Sequence, residues 1–96
     1  MREVLIRPRA LDDLEGIWLY TFEKWGEDQA SHYLELLNAR ILGLASSPED
    51  GQSRDAVRTG YFSIRVGRHV IFYRVTDKIV GMERVLHDQM DFTRHP

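Results

Sequence analysis

The stretch Val66-Gly67-Arg68-His69-Val70-Ile71-Phe72-Tyr73-Arg74-Val75 decides the fold of this chain. From position 69 onward its residues are mostly β-branched or aromatic, which is typical of a strand. A similar run, Tyr61–Val66, precedes it, and another, Ile79–His87, follows it. The runs are separated by Gly67-Arg68 and Thr76-Asp77-Lys78, gaps of two and three residues, which are hairpin lengths. The second half of the chain is therefore predicted to form an antiparallel meander.

Helical patterns fill most of the first half of the chain. Val4-Leu5-Ile6 reads as a short strand that stops at Pro8, a residue suited to the first turn of a helix. Apolar residues then recur at the three-and-four spacing of one helical face, at Leu11, Leu14, Ile17, Trp18, Phe22 and Trp25. Gly26 ends this helix, and a second apolar stripe runs from Ala30 to Ala45. We expect Asp12, Asp13 and Glu15 to place negative charge near the positive N-terminus of the first helix.

The order of these elements predicts an α+β fold of the type β-α-α-β-β-β. A helical hairpin would pack on one face of a mainly antiparallel sheet, and the polar segment 46–55 would be a connecting loop. With 96 residues and 43% hydrophobic composition, the chain can build one core, so residues 1–96 are predicted to form a single domain. The strand order and the conformation after Asp88 stay open.

Composition excludes several classes of protein. No apolar run approaches the roughly 18 residues of a membrane span, and the N-terminus lacks the apolar segment of a signal peptide, so we expect a cytoplasmic protein without membrane contact. The absence of cysteine excludes disulfides, thiolate nucleophiles and cysteine-ligated zinc. Packing and hydrogen bonding must therefore stabilise the fold.

Charge is distributed unevenly along the chain. Residues 1–50 contain 5 Lys/Arg and 10 Asp/Glu, whereas residues 51–96 contain 8 and 5, giving net charges of −5 and +3. This polarity suits electrostatic attraction of a charged partner. The total of −2 is too low for binding driven by phosphate contacts, so no sequence-specific binding of nucleic acid by the chain alone is expected.

Several segments share their order and spacing with a known protein family. They are Ile6-Arg7-Pro8-Arg9-Ala10-Leu11-Asp12-Asp13-Leu14, Trp25-Gly26-Glu27-Asp28-Gln29-Ala30, Asp55-Ala56-Val57-Arg58-Thr59-Gly60-Tyr61, the stretch from Val66 to Val75, and Arg84-Val85-Leu86-His87 with Met90-Asp91 and Arg94-His95. In these segments the chain resembles the ParE branch of the RelE/ParE toxin superfamily. The resemblance implies a growth-inhibiting toxin that binds and poisons DNA gyrase without catalysis or a cofactor. It also implies a ParD-type antitoxin that neutralises the toxin in a hetero-oligomer.

Two alternatives remain beside the gyrase hypothesis. RelE, which has a similar fold, is a ribosome-dependent mRNA endonuclease, and Arg65, Tyr73, Arg84 and His87 include the residue types that clamp phosphate and transfer protons. The pI near 6.0 argues against docking to ribosomal RNA. The other alternative is a non-toxic homologue that only binds antitoxin. His87 and Asp91 lack further ligands at recognisable spacing, so no metal is predicted.

The basic sheet half and the tail are the predicted target-binding region. Arg84 shares the alternating side of its strand with the apolar residues Val80, Met82 and Leu86, so we expect its guanidinium either to reach solvent or to meet an acidic partner. The predicted target-binding residues are Arg58, Arg65, Arg84, His87, Met90, Asp91 and Arg94.

The helical hairpin is the predicted antitoxin-binding region. It has more bulky apolar residues than one inner stripe can bury, so we expect some of them to be exposed. An amphipathic antitoxin helix would lie in the resulting groove, with an extended segment added to a sheet edge. The predicted contacts are Trp18, Phe22, Trp25, Tyr33, Leu34 and Leu37, and the alternative is that Trp18 and Phe22 belong to the core.

Overall fold

The structure, a computed structural model, describes residues 1–89 and contains two long helices and a five-stranded sheet. The elements in chain order are β1 (Glu3–Ile6), α1 (Pro8–Trp25), α2 (Glu27–Gly43), a 3-10 turn (Pro48–Asp50), β2 (Gln52–Ser53), β3 (Tyr61–Val66), β4 (His69–Val75) and β5 (Ile79–His87). No helix within residues 1–89 is long and apolar enough to cross a membrane. The predicted α+β class and the helical hairpin are confirmed.

The sheet has the strand order β1-β5-β4-β3-β2. Strands β3, β4 and β5 form the predicted antiparallel meander, and β1 lies parallel to β5, so the sheet is mainly antiparallel as predicted. The short strand β2 lies within the segment that the sequence predicted to be loop, because Gln52 and Ser53 pair with the outer edge of β3. Strand β1 covers β5 only as far as Met82, which leaves the end of β5 beside the helices.

One face of the sheet packs against the helices to form the core. Ala10 and Ile17 from α1 and Leu37 and Ile41 from α2 are buried with strand residues. The strand residues in this cluster are Val66, Ile71, Tyr73, Val80, Met82 and Val85. The hydroxyl of Tyr73 is also satisfied, because it donates to the carbonyl of Pro48 at 2.6 Å and accepts the N–H of Gly51 at 3.0 Å. These two hydrogen bonds satisfy the buried hydroxyl of Tyr73 and stabilise the loop that precedes β2.

The helix ends agree with the sequence in part. Pro8 occupies the first turn of α1, and Gly26, with φ of 92°, connects α1 directly to α2. Arg7 makes no side-chain cap at the N-terminus of α1. The helix begins at Pro8 as expected, and Asp12 and Asp13 follow its first turn, which contains no acidic residue.

A β-bulge in β5 changes the side of the sheet on which Arg84 lies. Tyr73 pairs with Met82, but the preceding residue Phe72 pairs with Arg84, so Glu83 is an extra residue on β5. The prediction that Arg84 shares the side of Met82 was therefore wrong, since strict alternation fails at the bulge. The other expectation for this residue holds, because Arg84 meets an acidic partner, Asp13.

Candidate functional site

A groove with a volume of about 360 Å³ lies between α1 and α2. We call it the hairpin groove, and it is lined by Leu14, Trp18, Ser31, Leu34, Glu35, Asn38 and Ile41. The ring of Trp18 stacks on Phe22 with centroids 5.0 Å apart and an angle of 15° between the planes. Phe22 is 42% exposed, so it extends the apolar wall of the groove towards the end of α1. An open apolar groove of this kind fits a partner helix.

The predicted antitoxin-binding residues occupy different environments. Trp18 and Leu34 line the hairpin groove, and Phe22 lies beside it. Trp25, at the end of α1, is 70% exposed. Leu37 is fully buried in the core, so it offers no surface to a partner in this conformation. Leu14 and Ile41 also line the groove. They were not among the predicted antitoxin contacts, although Leu14 lies one helical turn before Trp18.

Tyr33 turns away from the groove and holds the turn between β3 and β4. Its hydroxyl lies 2.6 Å from Nδ1 of His69 and 3.2 Å from the carbonyl oxygen of Val66, and it accepts the N–H of Arg68 at 3.2 Å. Gly67 in this turn has φ of 58°, and a Cβ added to it would lie 2.8 Å from the Tyr33 oxygen. A glycine is therefore required there, and Tyr33 couples α2 to the end of the sheet.

Titratable side chains gather next to this turn. We call them the sheet-end cluster, which consists of Tyr33, Arg65, Arg68, His69, His87 and Asp88. The rings of His69 and His87 meet edge to face at 5.5 Å. Asp88 is largely buried, forms an ion pair with Arg65 and lies 3.8 Å from Nε of Arg68. The structure thus brings together Arg65 and His87, two predicted target-binding residues, around an aspartate that the sequence pattern did not select.

His87 has two competing neighbours. Its Nδ1 accepts the N–H of Gln89 at 3.2 Å and also lies 3.1 Å from Oδ1 of Asp88. The first contact requires an unprotonated Nδ1, whereas the second requires a proton on the same atom. When Gln89 donates, Oδ1 of Asp88 is a buried oxygen without a hydrogen-bond partner. Nδ1 of His87 can therefore serve only one of these two contacts at a time.

His69 is the more enclosed of the two histidines. Burial lowers the pKa of His69 below its ordinary value of 6.5, the positive charges of His87 and Arg68 act in the same direction, and the carboxylate of Asp88 opposes them. The folded protein therefore holds His69 neutral at pH values where the unfolded chain is already protonated. Because the unfolded state binds more protons, stability falls as the pH falls through about 6.5 towards the folded-state pKa.

We expect wild-type thermal stability to decrease between about pH 7.5 and pH 5.5, and His69→Gln to reduce this decrease. Melting curves at several pH values measure both. His32→Gln is the matched control, because His32 is exposed on α2 and should retain the wild-type pH dependence. Identical pH profiles for His69→Gln and wild type would contradict the assignment of this pH dependence to His69.

A second cleft, with a volume of about 640 Å³, lies between α1 and the end of β5. At its base Nε and Nη2 of Arg84 donate to the two carboxylate oxygens of Asp13 at 2.8 and 2.9 Å. The N–H of Val85 donates to the same carboxylate at 2.9 Å. The hydrogen bonds that Arg84 donates to Asp13 raise the pKa of Arg84 above its ordinary value. Asp13 thus accepts a backbone hydrogen bond from the part of β5 that β1 does not reach. The side chain of Arg84 holds the Asp13 carboxylate in this position.

Arginines occupy the sheet face opposite the helices. We call this set the arginine face, and it consists of Arg7, Arg54, Arg58, Arg65 and Arg74. Because Phe62 and Tyr73 pack with the core, strand alternation places Tyr61, Arg65 and Arg74 on the other side. Arg58, one of the predicted target-binding residues, lies over the ring of Tyr61 at 5.3 Å.

Three predicted target-binding residues, Met90, Asp91 and Arg94, lie outside the described residues. Within residues 1–89 no group of three His, Asp or Glu side chains is arranged to hold a metal ion. The sequence pattern did not predict a site role for Asp13, His69 or Asp88, because their partners lie on other elements. His69 lies opposite His87 in the register of β4 and β5, but this pairing depends on the bulge at Glu83, which the sequence pattern did not indicate.

Comparison with known proteins identifies the family of this chain. A model of the family described as ParE toxin of type II toxin-antitoxin system, parDE, matches residues 4–92. The chain belongs to the ParE toxin family. Toxin ParE1 of Mycobacterium tuberculosis is 41% identical to this ParE-type toxin over 92 residues, 95% of this chain and 94% of the relative. Toxin ParE1 of Caulobacter vibrioides is 39% identical over 95 residues, 99% of this chain and 98% of the relative.

Solved structures share the fold of this ParE-type toxin. A chain of the chromosomal ParDE toxin–antitoxin system from P. aeruginosa superposes with a TM-score of 0.77 at 17% identity, over 91% of this chain and 96% of that chain. A chain of the RelBE2 toxin–antitoxin complex from Mycobacterium tuberculosis has a TM-score of 0.65 at 22% identity, over 90% and 96% of the respective chains. The same architecture thus occurs in ParE and RelE systems.

Proposed function

We propose that this ParE-type toxin inhibits growth by binding and poisoning DNA gyrase, and that a ParD-type antitoxin neutralises it in a hetero-oligomer in the cytoplasm. The observation that carries the proposal is the family match over residues 4–92. The distribution of surface chemistry supports it, because the apolar hairpin groove and the arginine face lie on different sides of the molecule. One protein therefore has separate surfaces for two macromolecular partners.

The hairpin groove is the proposed antitoxin site. Its apolar lining and the neighbouring exposed ring of Phe22 would be covered by the apolar side of an amphipathic helix. The P. aeruginosa protein of similar fold comes from a ParDE system, which favours an antitoxin of the ParD type.

A binding role rather than an enzymatic one is also part of the proposal. The side chains that an RNA-cleaving site would need are used elsewhere: Tyr73 is buried and bonded to Pro48 and Gly51, and Arg84 is paired with Asp13. Arg65 is paired with Asp88. A ribonuclease needs a base, an acid and cations converging on one phosphate. Of the four candidate residues, Arg65 and His87 share Asp88, whereas Tyr73 and Arg84 have their partners elsewhere, so the four do not converge, which favours inhibition by binding.

The decisive experiment is induced expression of the toxin followed by separate assays of DNA supercoiling and messenger integrity. We expect loss of supercoiling with accumulation of gyrase-linked DNA breaks, intact messages, and rescue by the antitoxin. Cleaved messages with normal supercoiling would instead support an endonuclease. Normal growth with normal supercoiling would support a homologue that binds antitoxin but has no toxicity.

A further inference from the structure

We propose that the arginine face contacts the phosphate backbone of the DNA segment that gyrase holds. The inference rests on the proposed function, because it takes gyrase as the target, and it assigns the partner of one particular surface. The occupant of this surface is DNA rather than a second region of the gyrase protein.

Three arginines of this face surround a residue without a side chain. Arg74 lies opposite Gly81 in the sheet register, and Nε of Arg7 is 3.4 Å from the position that a Cβ on Gly81 would occupy. Arg58 reaches the same region through Tyr61, because its Nη1 is 3.5 Å from the Tyr61 hydroxyl. Glu83 is the nearby acid, 3.6 Å from Nε of Arg7. The Arg7 and Glu83 side chains thus cover the buried Gly81, and Arg58 and Arg74 are exposed in the same region of the face.

Most of these arginines lack an internal counter-charge. Within residues 1–89, Arg54, Arg58 and Arg74 have no carboxylate oxygen within the 4.0 Å that defines an ion pair. Arg54 instead donates to the hydroxyl of Ser63 at 2.8 Å. Arg58 and Arg74 are exposed. Guanidinium groups held near a surface without carboxylates are available to an external anion.

The charge of the two layers differs in sign. The helix layer, residues 8–43, contains 7 Asp/Glu and 3 Lys/Arg, which gives −4. The arginine face contains its 5 arginines against Asp55, Glu83 and Asp88, which gives +2. A polyanion is therefore repelled by the helices and attracted to the opposite face, and the modest total charge of −2 is compatible with one DNA-facing surface.

The chemistry of the face fits phosphate better than protein. Arginine presents a planar fork that matches phosphate oxygens. A stable protein interface has an apolar centre, whereas the aromatic residues of this face, Tyr61 and Phe72, are buried and the guanidinium-bearing residues Arg58, Arg65 and Arg74 are exposed. An excess of +2 gives weak binding to free duplex, so gyrase must supply the remaining affinity by holding toxin and DNA together.

The test compares Arg58→Gln/Arg74→Gln with the control Arg40→Gln, which removes one arginine from α2 that is 43% exposed and 3.7 Å from Asp50. Toxin affinity is measured for gyrase alone and for gyrase bound to a linear duplex, over a series of KCl concentrations, with melting curves to verify folding. We expect wild type and the control to bind gyrase–DNA more tightly than gyrase alone.

For the double variant we expect roughly a 10- to 100-fold loss of affinity for gyrase–DNA and unchanged affinity for gyrase alone. The slope of log affinity against log KCl concentration should become less steep by about the amount that two phosphate contacts contribute. An equal loss on gyrase alone would assign the arginines to a protein contact and overturn the inference. Wild-type affinity and salt dependence of the folded double variant would also overturn it. Failure of wild-type toxin to inhibit gyrase would contradict the proposed function itself, a result distinct from either of these.

Discussion

Replacement of Asp13 by alanine is expected to lower the free energy of unfolding by about 3 kcal/mol, the lower end of the range for breaking a buried ion pair. The side chains of Arg84 and Asp13 are 12% and 15% exposed, so solvent screens the pair only slightly. Arginine cannot lose its proton, and the variant would remove the Asp13 carboxylate from a guanidinium that is largely buried next to β5. The N–H of Val85 would lose its acceptor as well. Denaturant unfolding measures the loss.

The expected loss corresponds to roughly 12–24 °C in Tm for a domain of this size. Asp12→Ala is the matched control, because the neighbouring Asp12 is exposed and its removal should change stability by less than about 0.5 kcal/mol. The free energy of unfolding of Asp13→Asn should fall between those of Asp13→Ala and Asp12→Ala, since the amide oxygen still accepts the N–H of Val85. Combining Asp13→Ala with Arg84→Met should recover part of the loss, because it removes a largely buried charge that has lost its carboxylate. Equal stabilities of Asp13→Ala and Asp12→Ala would contradict the assigned role.

Local signals explain why most of the fold could be predicted from the sequence. The two-residue turn at Gly67-Arg68 fixes the β3–β4 hairpin, and Gly67 adopts the positive φ that such a turn requires. Pro8 and Gly26 set the limits of α1 in the same way. These residues act through their own backbone preferences, so no knowledge of distant contacts was needed.

Contacts between distant segments explain what the sequence missed. Asp13 and Arg84 are 71 positions apart, and their contact depends on the bulge at Glu83, which shifts the side-chain alternation of β5. In the hairpin, apolar spacing identified one face of each helix but not its exposed part. Leu37 and Trp25 both fit that spacing, yet Leu37 is fully buried and Trp25, the last residue of α1, is 70% exposed.

The hairpin groove carries the other large expected effect. Trp18→Ala should weaken antitoxin binding by about 2–4 kcal/mol, a loss of roughly 30- to 1000-fold in affinity, because a tryptophan in an apolar groove is the type of residue that dominates binding energy. Trp18 lines the groove and stacks on Phe22, so its removal takes away apolar area from the groove wall and support from the neighbouring ring. Titration of purified toxin variants with antitoxin measures the change.

Tyr20→Ala is the matched control for this prediction. Tyr20 is an aromatic residue of the same helix, 60% exposed, but it lines the cleft between α1 and β5 instead of the hairpin groove. Its replacement should leave antitoxin affinity within about twofold of wild type, since residues outside the central contact contribute little. The reverse pattern, loss with Tyr20→Ala and none with Trp18→Ala, would place the antitoxin on the other flank of α1. The pair of variants therefore decides which side of α1 binds the antitoxin, independently of whether gyrase is the target.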